Sequence, residues 1–117
     1  MKLFGTKEIK VHVERVLHAR RRELEGRTVV DVPAGSGHSS RILQSLGANV
    51  EALDLFPAFF NVEGLSCGYA DLADRLPLPD EHADYVLCQE GIEHMPDQLH
   101  LFAELNRITR PGGTLLI

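Results

Sequence analysis

Two glycines separated by one residue, Gly35 and Gly37, follow closely after the acidic residue Asp31. The residues before Asp31 are apolar and β-branched, and an apolar segment typical of a helix follows the glycines. Glycines in such a position let backbone N–H groups come close to a polar or anionic ligand at the amino end of a helix. The pattern predicts a strand, a loop and a helix that form the first half of a nucleotide-binding βαβ unit.

Further polar residues fall where later strands are predicted to end, namely Asp54, Asp71 and Gln89. Asp54 follows Asp31 by 23 residues, and in such folds an acid at this distance accepts hydrogen bonds from ribose hydroxyls. A lone Asp is more often a helix cap or a turn residue. Three acids that end three successive strands beside a glycine loop favour a ligand site instead, in one crevice at the carboxyl edge of the sheet.

The elements that must position these residues alternate between helix and strand. The pattern predicts helices over 7–25, from Ser39 (whose hydroxyl would cap the helix) to Gly47, and from Pro96 in the first turn to 108; it predicts strands over 28–32, 49–54, 66–70, 84–89 and 114–117. Strands that alternate with helices predict an α/β fold with a doubly wound, mostly parallel sheet.

Length and composition are those of one globular domain. The chain has 117 residues, of which 44% are apolar and 25% charged, as in ordinary folded proteins. No apolar run approaches the roughly 20 residues of a membrane span, so we expect no membrane association, and no signal-peptide pattern opens the chain. Cys67 and Cys88 lie in apolar, strand-like sequence, which predicts buried reduced thiols and a cytoplasmic protein.

The net charge of −5 is distributed unevenly. Residues 1–27 hold eight Lys or Arg and four acids, whereas the remainder holds four Lys or Arg and thirteen acids. We interpret the run Arg20–Arg22 as the solvated face of a helix and expect no nucleic-acid partner, because the run lacks interleaved aromatic residues and the main body is acidic. We divide the chain into a basic N-terminal helix, 1–27, and a nucleotide-binding domain, 28–117.

The glycine loop narrows the choice of nucleotide. A dinucleotide fingerprint has a third glycine, but the residue at that position is Ser40. The chain also lacks the Gly-x-x-x-x-Gly-Lys-Ser/Thr sequence of a P-loop. A nicotinamide-dependent oxidoreductase is therefore a distant alternative.

Four blocks of sequence, in order, carry a more specific pattern: residues 29–37, 51–55, 69–72 with 76–80, and 84–94 with 107–113. In these blocks the chain resembles the class I methyltransferases that use S-adenosylmethionine, in the small-molecule branch called type 11. The resemblance covers 28–117 and implies a Rossmann-like fold, S-adenosylmethionine as cofactor and a small-molecule methyl acceptor.

The resemblance also implies roles for single residues. Around the methionine part of the cofactor, Asp31 would orient the loop, Gly35 and Gly37 would let the backbone pass close, and the backbone of Gln89 would lie near the amino group. Around the adenosine part, Asp54 would hold the ribose hydroxyls, Leu55 would pack on adenine, Asp71 would accept from the adenine amino group, and the Leu72 N–H would be directed to the ring.

The sequence departs from the family pattern in two places. Pro33 stands where the family usually has glycine, so one possible backbone donor is absent. The chain also ends at Ile117, inside the fifth predicted strand, so we expect the fold to be truncated after this strand. The alternative function is then a non-catalytic module that binds the cofactor or its product without an acceptor site. We also expect a homodimer through the apolar edge of strand five.

Glu90, Glu93 and His94 form a cluster of a different kind. It resembles a segment of ubiquinone-pathway O-methyltransferases that is associated with a divalent metal, and two carboxylates with an imidazole are possible ligands. We favour the simpler interpretation that they line the acceptor side without a metal and that His94 is at most a general base. The sequence identifies no other catalytic residue.

Overall fold

The computed structural model describes residues 6–117, so residues 1–5 of the predicted basic N-terminal division, 1–27, lie outside the described residues. The elements in chain order are α1 (Thr6–Ala19), α2 (Arg21–Leu24), β1 (Thr28–Asp31), α3 (His38–Ser45), β2 (Asn49–Asp54), β3 (Cys67–Tyr69), β4 (Ala83–Leu87), α4 (Gln98–Ile108) and β5 (Thr109–Leu116). Short 3₁₀ turns at Pro57–Phe59 and Ile92–His94 follow β2 and β4.

The five strands form one sheet in the order β3-β2-β1-β4-β5, with β1 at its centre. Each of the four strand pairings is parallel, and Val29 of β1 lies between Val50 of β2 and Tyr85 of β4. The predicted α/β class and parallel sheet are confirmed. Because the strands are parallel, the loops after β1, β2, β3 and β4 all leave from the same edge.

Alternate residues of β1 supply the two hydrophobic cores. Val29 packs with Leu17, Leu24 and Leu43 from α1, α2 and α3 on one face of the sheet. Val30 belongs to the core on the opposite face, which includes Leu101, Leu105 and Ile108 of α4. Burial of such a side chain stabilises the fold by about 1.5–3 kcal/mol. The period of two along β1 therefore fixes which helices cover which face.

Three helix boundaries differ from the predictions. The predicted N-terminal helix is two helices, because Arg20 has non-helical φ and ψ angles of −102° and 11°. The prediction that Ser39 caps α3 is wrong, since the left-handed Gly37 precedes the helix and Ser39 lies inside it. Pro96 lies outside α4, where Asp97 is the cap and its carboxylate accepts a hydrogen bond from the His100 N–H.

The segment before the predicted fifth strand also belongs to β5. Ala83 pairs with Thr109 and Tyr85 pairs with Thr114, so the intervening residues of β5 form a bulge. A Cβ atom on Gly113 would lie 2.7 Å from the carbonyl oxygen of Asp84. Glycine at this position lets the backbone of the bulge approach β4 closely.

Arg107 of α4 forms hydrogen bonds with the connector between β3 and β4. The Arg107 guanidinium donates to the carbonyl oxygens of Leu76 and Leu78 at 3.0 and 2.8 Å and to the carboxylates of Asp80 and Glu104. Glu104 in turn accepts from the Leu76 N–H at 2.7 Å. The hydrogen bond that Glu104 accepts from Arg107 is the main cause of its lowered pKa.

Among residues 6–117, no helix is long and apolar enough to cross a membrane.

Candidate functional site

A crevice of about 160 Å³ lies beside the glycine loop at the carboxyl edge of the sheet. Three of the predicted site residues line it: Asp31 at the end of β1, Gly35 in the loop and Gln89 after β4. Pro33, the departure from the family pattern, lies in the same wall. The structure therefore brings together the residues to which the resemblance assigns the methionine part of the cofactor, apart from Gly37.

Asp31 is the most deeply buried acid of this crevice, with 1% of its surface exposed. The pKa of its carboxyl is raised to about 7, mainly by burial and further by the neighbouring charge of Asp54, while a hydrogen bond from Ser40 opposes the shift. The Ser40 hydroxyl donates this bond to Oδ2 of Asp31 at 2.7 Å. A cationic group near Asp31 would favour the ionised carboxylate, which would otherwise be half protonated at neutral pH.

The side chain of Gln89 bridges the crevice from the other side. Its Oε1 atom accepts a hydrogen bond of 3.0 Å from the Ser39 hydroxyl of α3. Ser39 thus links the start of α3 to the end of β4, and it does not cap the helix. The contact of the Gln89 backbone with the amino group of the cofactor, which the resemblance implies, stays a prediction.

Asp54 is buried and is bonded to the glycine loop. Its Oδ1 atom accepts from the Gly35 N–H at 3.0 Å and its Oδ2 atom accepts from the Phe56 N–H at 2.9 Å. Each carboxylate oxygen can accept a second hydrogen bond, so these two contacts leave acceptor capacity for ribose hydroxyls. The assignment of Asp54 to ribose stays a prediction.

Gly37 lies on the far side of the loop, packed under the segment that follows β2. Its φ angle is +101°, and a Cβ atom there would lie 2.3 Å from Val62 and 2.9 Å from Phe60. The Asn61 N–H donates to the Ser36 carbonyl at 3.0 Å and holds this segment against the loop. Glycine is therefore required at position 37 by both conformation and space, whatever binds in the crevice.

The residues predicted for the adenine lie further along the same edge. Leu55 is 42% exposed, and the Asp71 carboxylate accepts a hydrogen bond of 2.9 Å from the Ala73 N–H. Leu72 packs against the core on the α4 face. The Ala70 N–H donates to the Asp54 carbonyl at 3.0 Å, which places Asp71 directly beyond the ribose candidate.

His94 lies outside the crevice on the turn after β4. Its imidazole is exposed, and its nearest acid is Glu93 at 3.6 Å. Among the side chains of residues 9–117, no group of three from His, Cys, Asp or Glu is arranged to hold a metal ion. The role of His94 as a base stays a prediction.

Sequence reasoning missed four residues of the site. Ser40 and Ser39 bond two predicted residues, and their position in the first turn after the glycines could have suggested this. Lys10 and His38 line the crevice, but Lys10 reaches it from α1 through a tertiary contact that local sequence does not reveal.

A larger cleft of about 480 Å³ lies at the amino edge of the sheet and is lined by Arg107 and Arg110 among others. It contains none of the predicted site residues.

The sheet order defines a Rossmann-like fold, in which ligands such as nucleotides bind in the crevice at the carboxyl edge of the sheet. The sequence profile of a family described as a methyltransferase domain matches residues 30–117. The chain belongs to this methyltransferase family, type 11.

Similar proteins that are described as methyltransferases support this family assignment. A ubiquinone biosynthesis O-methyltransferase of Xanthomonas campestris is 34% identical over 111 residues, which cover 85% of this chain and 45% of that protein. An S-adenosylmethionine-dependent methyltransferase structure from Mesorhizobium loti has a TM-score of 0.71 at 28% identity and covers 90% of this chain and 52% of that chain.

A Haloferax volcanii methyltransferase, solved with the Trm112 methyltransferase activator, has a TM-score of 0.66 at 25% identity and covers 97% of this chain and 60% of that one. The chain thus spans about half the length of the curated relatives that it matches.

Proposed function

We propose that this chain binds S-adenosylmethionine and forms the cofactor-binding part of a methyltransferase that acts on a small molecule. The observation that carries the proposal is the arrangement of the glycine loop, with Asp31 and Gln89 in the crevice on one side and a hydrogen bond to Asp54 on the other. A ligand with a cationic amino-acid end and a ribose needs this pair of environments.

The cofactor supplies an electrophilic methyl group on a sulfonium, so the protein needs mainly to position the acceptor in line with that group. Asp31 would hold the cationic end, Asp54 the ribose hydroxyls, and Asp71 with Leu72 the adenine. An acceptor hydroxyl would lose its proton as its oxygen forms the new bond to the methyl carbon, while the carbon–sulfur bond breaks and the sulfur leaves with the electron pair as the thioether of S-adenosylhomocysteine; His94 is the candidate that takes the proton. The name of the Xanthomonas relative supports oxygen as the acceptor atom.

A calorimetric titration of the 117-residue chain tests the proposal. We expect S-adenosylhomocysteine to bind and NAD to show no binding at the same concentrations. Binding of NAD in its place would support the oxidoreductase alternative. Binding of S-adenosylhomocysteine without methyl transfer to any phenolic or catechol acceptor would favour the non-catalytic binding module.

We also propose a cytoplasmic location. Cys67 and Cys88 are both free, and Cys88 is buried. Burial raises the pKa of the Cys88 thiol to about 11, so this thiol is a packing group with little reactivity. Free thiols of this kind are typical of proteins in reducing compartments.

A further inference from the structure

Three exposed aromatic side chains lie close together at the β3 end of the sheet. Phe56, Phe59 and Tyr69 are 58%, 72% and 61% exposed. The rings of Phe56 and Phe59 meet edge to face with their centres 6.2 Å apart, and the 3₁₀ turn that contains Phe59 lies against β3. We call these three rings the aromatic surface. Single exposed apolar residues are ordinary, but a contiguous apolar surface marks a site of interaction.

The register of the strands places Tyr69 on the face of the sheet that α3 covers. Tyr69 lies beside Asp54 of β2, and Leu53, the residue before Asp54, belongs to the core under α4. Because side chains alternate along a strand, Asp54 and Tyr69 lie on the opposite face. Val50 of β2 is four residues before Asp54, so it shares this face, and it packs in the core with α3.

The exposure of the aromatic surface has its cause in the connection between β2 and β3. The β1–β2 and β4–β5 connections contain the helices α3 and α4, whereas residues 55–66 contain only the 3₁₀ turn Pro57–Phe59. Parallel strands are usually joined by an α-helix, and such helices cover both faces of a parallel sheet. The aromatic surface is therefore a part of the sheet for which residues 55–66 supply no covering helix.

The charge around the aromatic surface indicates what can cover it. Residues 49–74 include five acids and no Lys or Arg, and Glu63 is exposed within the connection itself. Arg41 of α3 offsets part of this charge, since its guanidinium donates to the Asn61 carbonyl at 2.9 Å. A second copy placed here by a two-fold axis would bring the acidic stretches of both chains together, which costs energy. An anionic membrane is disfavoured for the same reason.

We propose that the aromatic surface binds an amphipathic, basic helix of a partner protein. The apolar side of this helix covers the rings of Phe59 and Tyr69, which serve as aromatic anchors. Its polar side carries Lys or Arg toward the acids of residues 49–74. A helix fits better than an added strand, because β3 has only three residues and a short edge strand offers few backbone groups for pairing.

Designed peptides of about 18 residues, long enough to form a helix, test the proposal by fluorescence anisotropy. One peptide carries Leu along one side and Lys on the other, and a second carries Glu in place of Lys. We expect the Leu/Lys peptide to bind the 117-residue chain and the Leu/Glu peptide to bind at least about tenfold more weakly. Phe59→Ser and Tyr69→Ser should each weaken binding of the Leu/Lys peptide about tenfold. Glu63→Lys should reduce the difference between the two peptides.

The matched control is Phe102→Ser, because Phe102 is 48% exposed on α4, which covers the opposite face of the sheet. This variant should bind the Leu/Lys peptide as wild type does, and thermal unfolding checks that each variant is folded.

Four results would overturn the proposal. The Leu/Lys peptide could fail to bind wild type, or could bind Phe59→Ser equally well. Both peptides could bind with the same affinity. Binding to phosphatidylcholine vesicles that is lost in Phe59→Ser would identify a membrane surface instead. A weaker affinity of Phe59→Ser for S-adenosylhomocysteine would assign this ring to the cofactor site, whereas we expect that affinity to be unchanged.

Discussion

The amide nitrogen of Gly35 lies 3.0 Å from Oδ1 of Asp54 and donates a hydrogen bond to it. The bond joins the loop after β1 to the end of β2, so one buried carboxylate both shapes the glycine loop and faces the place expected for ribose. The second oxygen of Asp54 accepts from the Phe56 N–H. Asp54 therefore connects the glycine loop after β1 to the predicted ribose site at the end of β2.

The first prediction concerns this coupling. Asp54→Ala should weaken binding of S-adenosylhomocysteine by about 1.5–3 kcal/mol, because charge-assisted bonds to ribose are lost. It should also lower the melting temperature, because two backbone N–H groups lose their partner. Titration calorimetry and thermal unfolding measure the two effects. Equal affinity of wild type and variant would show that Asp54 does not hold the ribose.

A second variant separates the two roles. Asp54→Asn keeps one acceptor oxygen for the loop but replaces the other with a donor. We expect its melting temperature to lie closer to wild type than that of Asp54→Ala, while the affinity for S-adenosylhomocysteine remains low.

The second prediction concerns Asp71 and adenine. Asp71→Asn keeps an oxygen that can accept from the Ala73 N–H, so the local turn should persist. The variant should bind S-adenosylhomocysteine about tenfold more weakly, because a carboxylate that accepts from the 6-amino group is lost. Binding of an analogue without the 6-amino group should change much less. Equal losses for both ligands would refute the contact with the amino group.

The third prediction follows from the raised pKa of Asp31. Burial keeps this carboxyl half protonated near pH 7, and the cationic end of S-adenosylmethionine favours its ionised form. Affinity should therefore rise with pH, and a carboxyl with a pKa of 7 that must be ionised in the complex gives about a tenfold gain from pH 6 to pH 8. Calorimetry in buffers of different ionisation enthalpy should detect the released proton.

The variants at this site have distinct signatures. Ser40→Ala removes a bond that favours the ionised form, so it should raise the pKa of Asp31 and move the affinity profile to higher pH. Asp31→Asn should abolish the pH dependence. Without ligand, the raised pKa means that the folded state holds a proton that the unfolded state releases above about pH 4. Asp31 should therefore lower the free energy of unfolding as pH rises from about 4 to 7.

Local sequence predicted some of these features well because their causes are local. The apolar residues Val50, Ala52 and Leu53 predicted the bounds of β2 correctly, and the paired glycines identified the loop. The helix starts were harder, since Gly37, Ser39 and Asp97 all belong to residue types that precede helices. For α3, the left-handed backbone of Gly37 sets the start of the helix. The Ser39 hydroxyl bonds to Gln89 and does not cap the helix, and this hydrogen bond joins residues that lie 50 positions apart.

The crevice shows the same limit more strongly. Asp31 and Gly35 stand close together in sequence, and their shared role could be predicted. Lys10 reaches the crevice only because α1 packs across α3, and helical periodicity alone does not fix that packing. Local sequence does not predict the contacts of Arg107 either, since its partners in the connector lie 27 to 31 residues away.

The fourth prediction concerns that arginine. Arg107→Met should lower the free energy of unfolding by about 3 kcal/mol, because Glu104 is left buried without its charge partner. Arg107→Lys should recover only part of this loss, since one ammonium group cannot match five directed donors. Urea denaturation measures the change.

The control for this prediction is Arg75→Ala. Arg75 is exposed and lies 3.8 Å from Asp80, so its removal should change stability by less than about 0.5 kcal/mol.

The effect of Arg107→Met should also depend on pH, because the pKa of Glu104 is lowered in the folded state. Glu104 stabilises the wild-type fold at pH values above its ordinary pKa, and this contribution is lost as pH falls through the lowered pKa. The difference between wild type and Arg107→Met should therefore shrink in acid.

The last prediction concerns the edge of the sheet at β5. Among the described residues 6–117 this strand pairs only with β4, and Ile117 beyond it is 62% exposed. Unpaired N–H and C=O groups along an apolar strand favour pairing with a second copy. We therefore expect a symmetric dimer through β5 in sedimentation experiments at micromolar concentration.

Charge placed at this edge should separate the two copies. Ile117→Lys puts a charge into the apolar edge without disturbing a buried residue, so it should weaken pairing and give a monomer. Leu99→Lys is the matched control, because Leu99 is 84% exposed on the helix α4 and does not belong to a strand, and this variant should remain dimeric. A monomeric wild type, or a dimer that persists in Ile117→Lys, would contradict pairing through β5; the second result would direct attention to the opposite edge at β3, where Tyr69 is exposed.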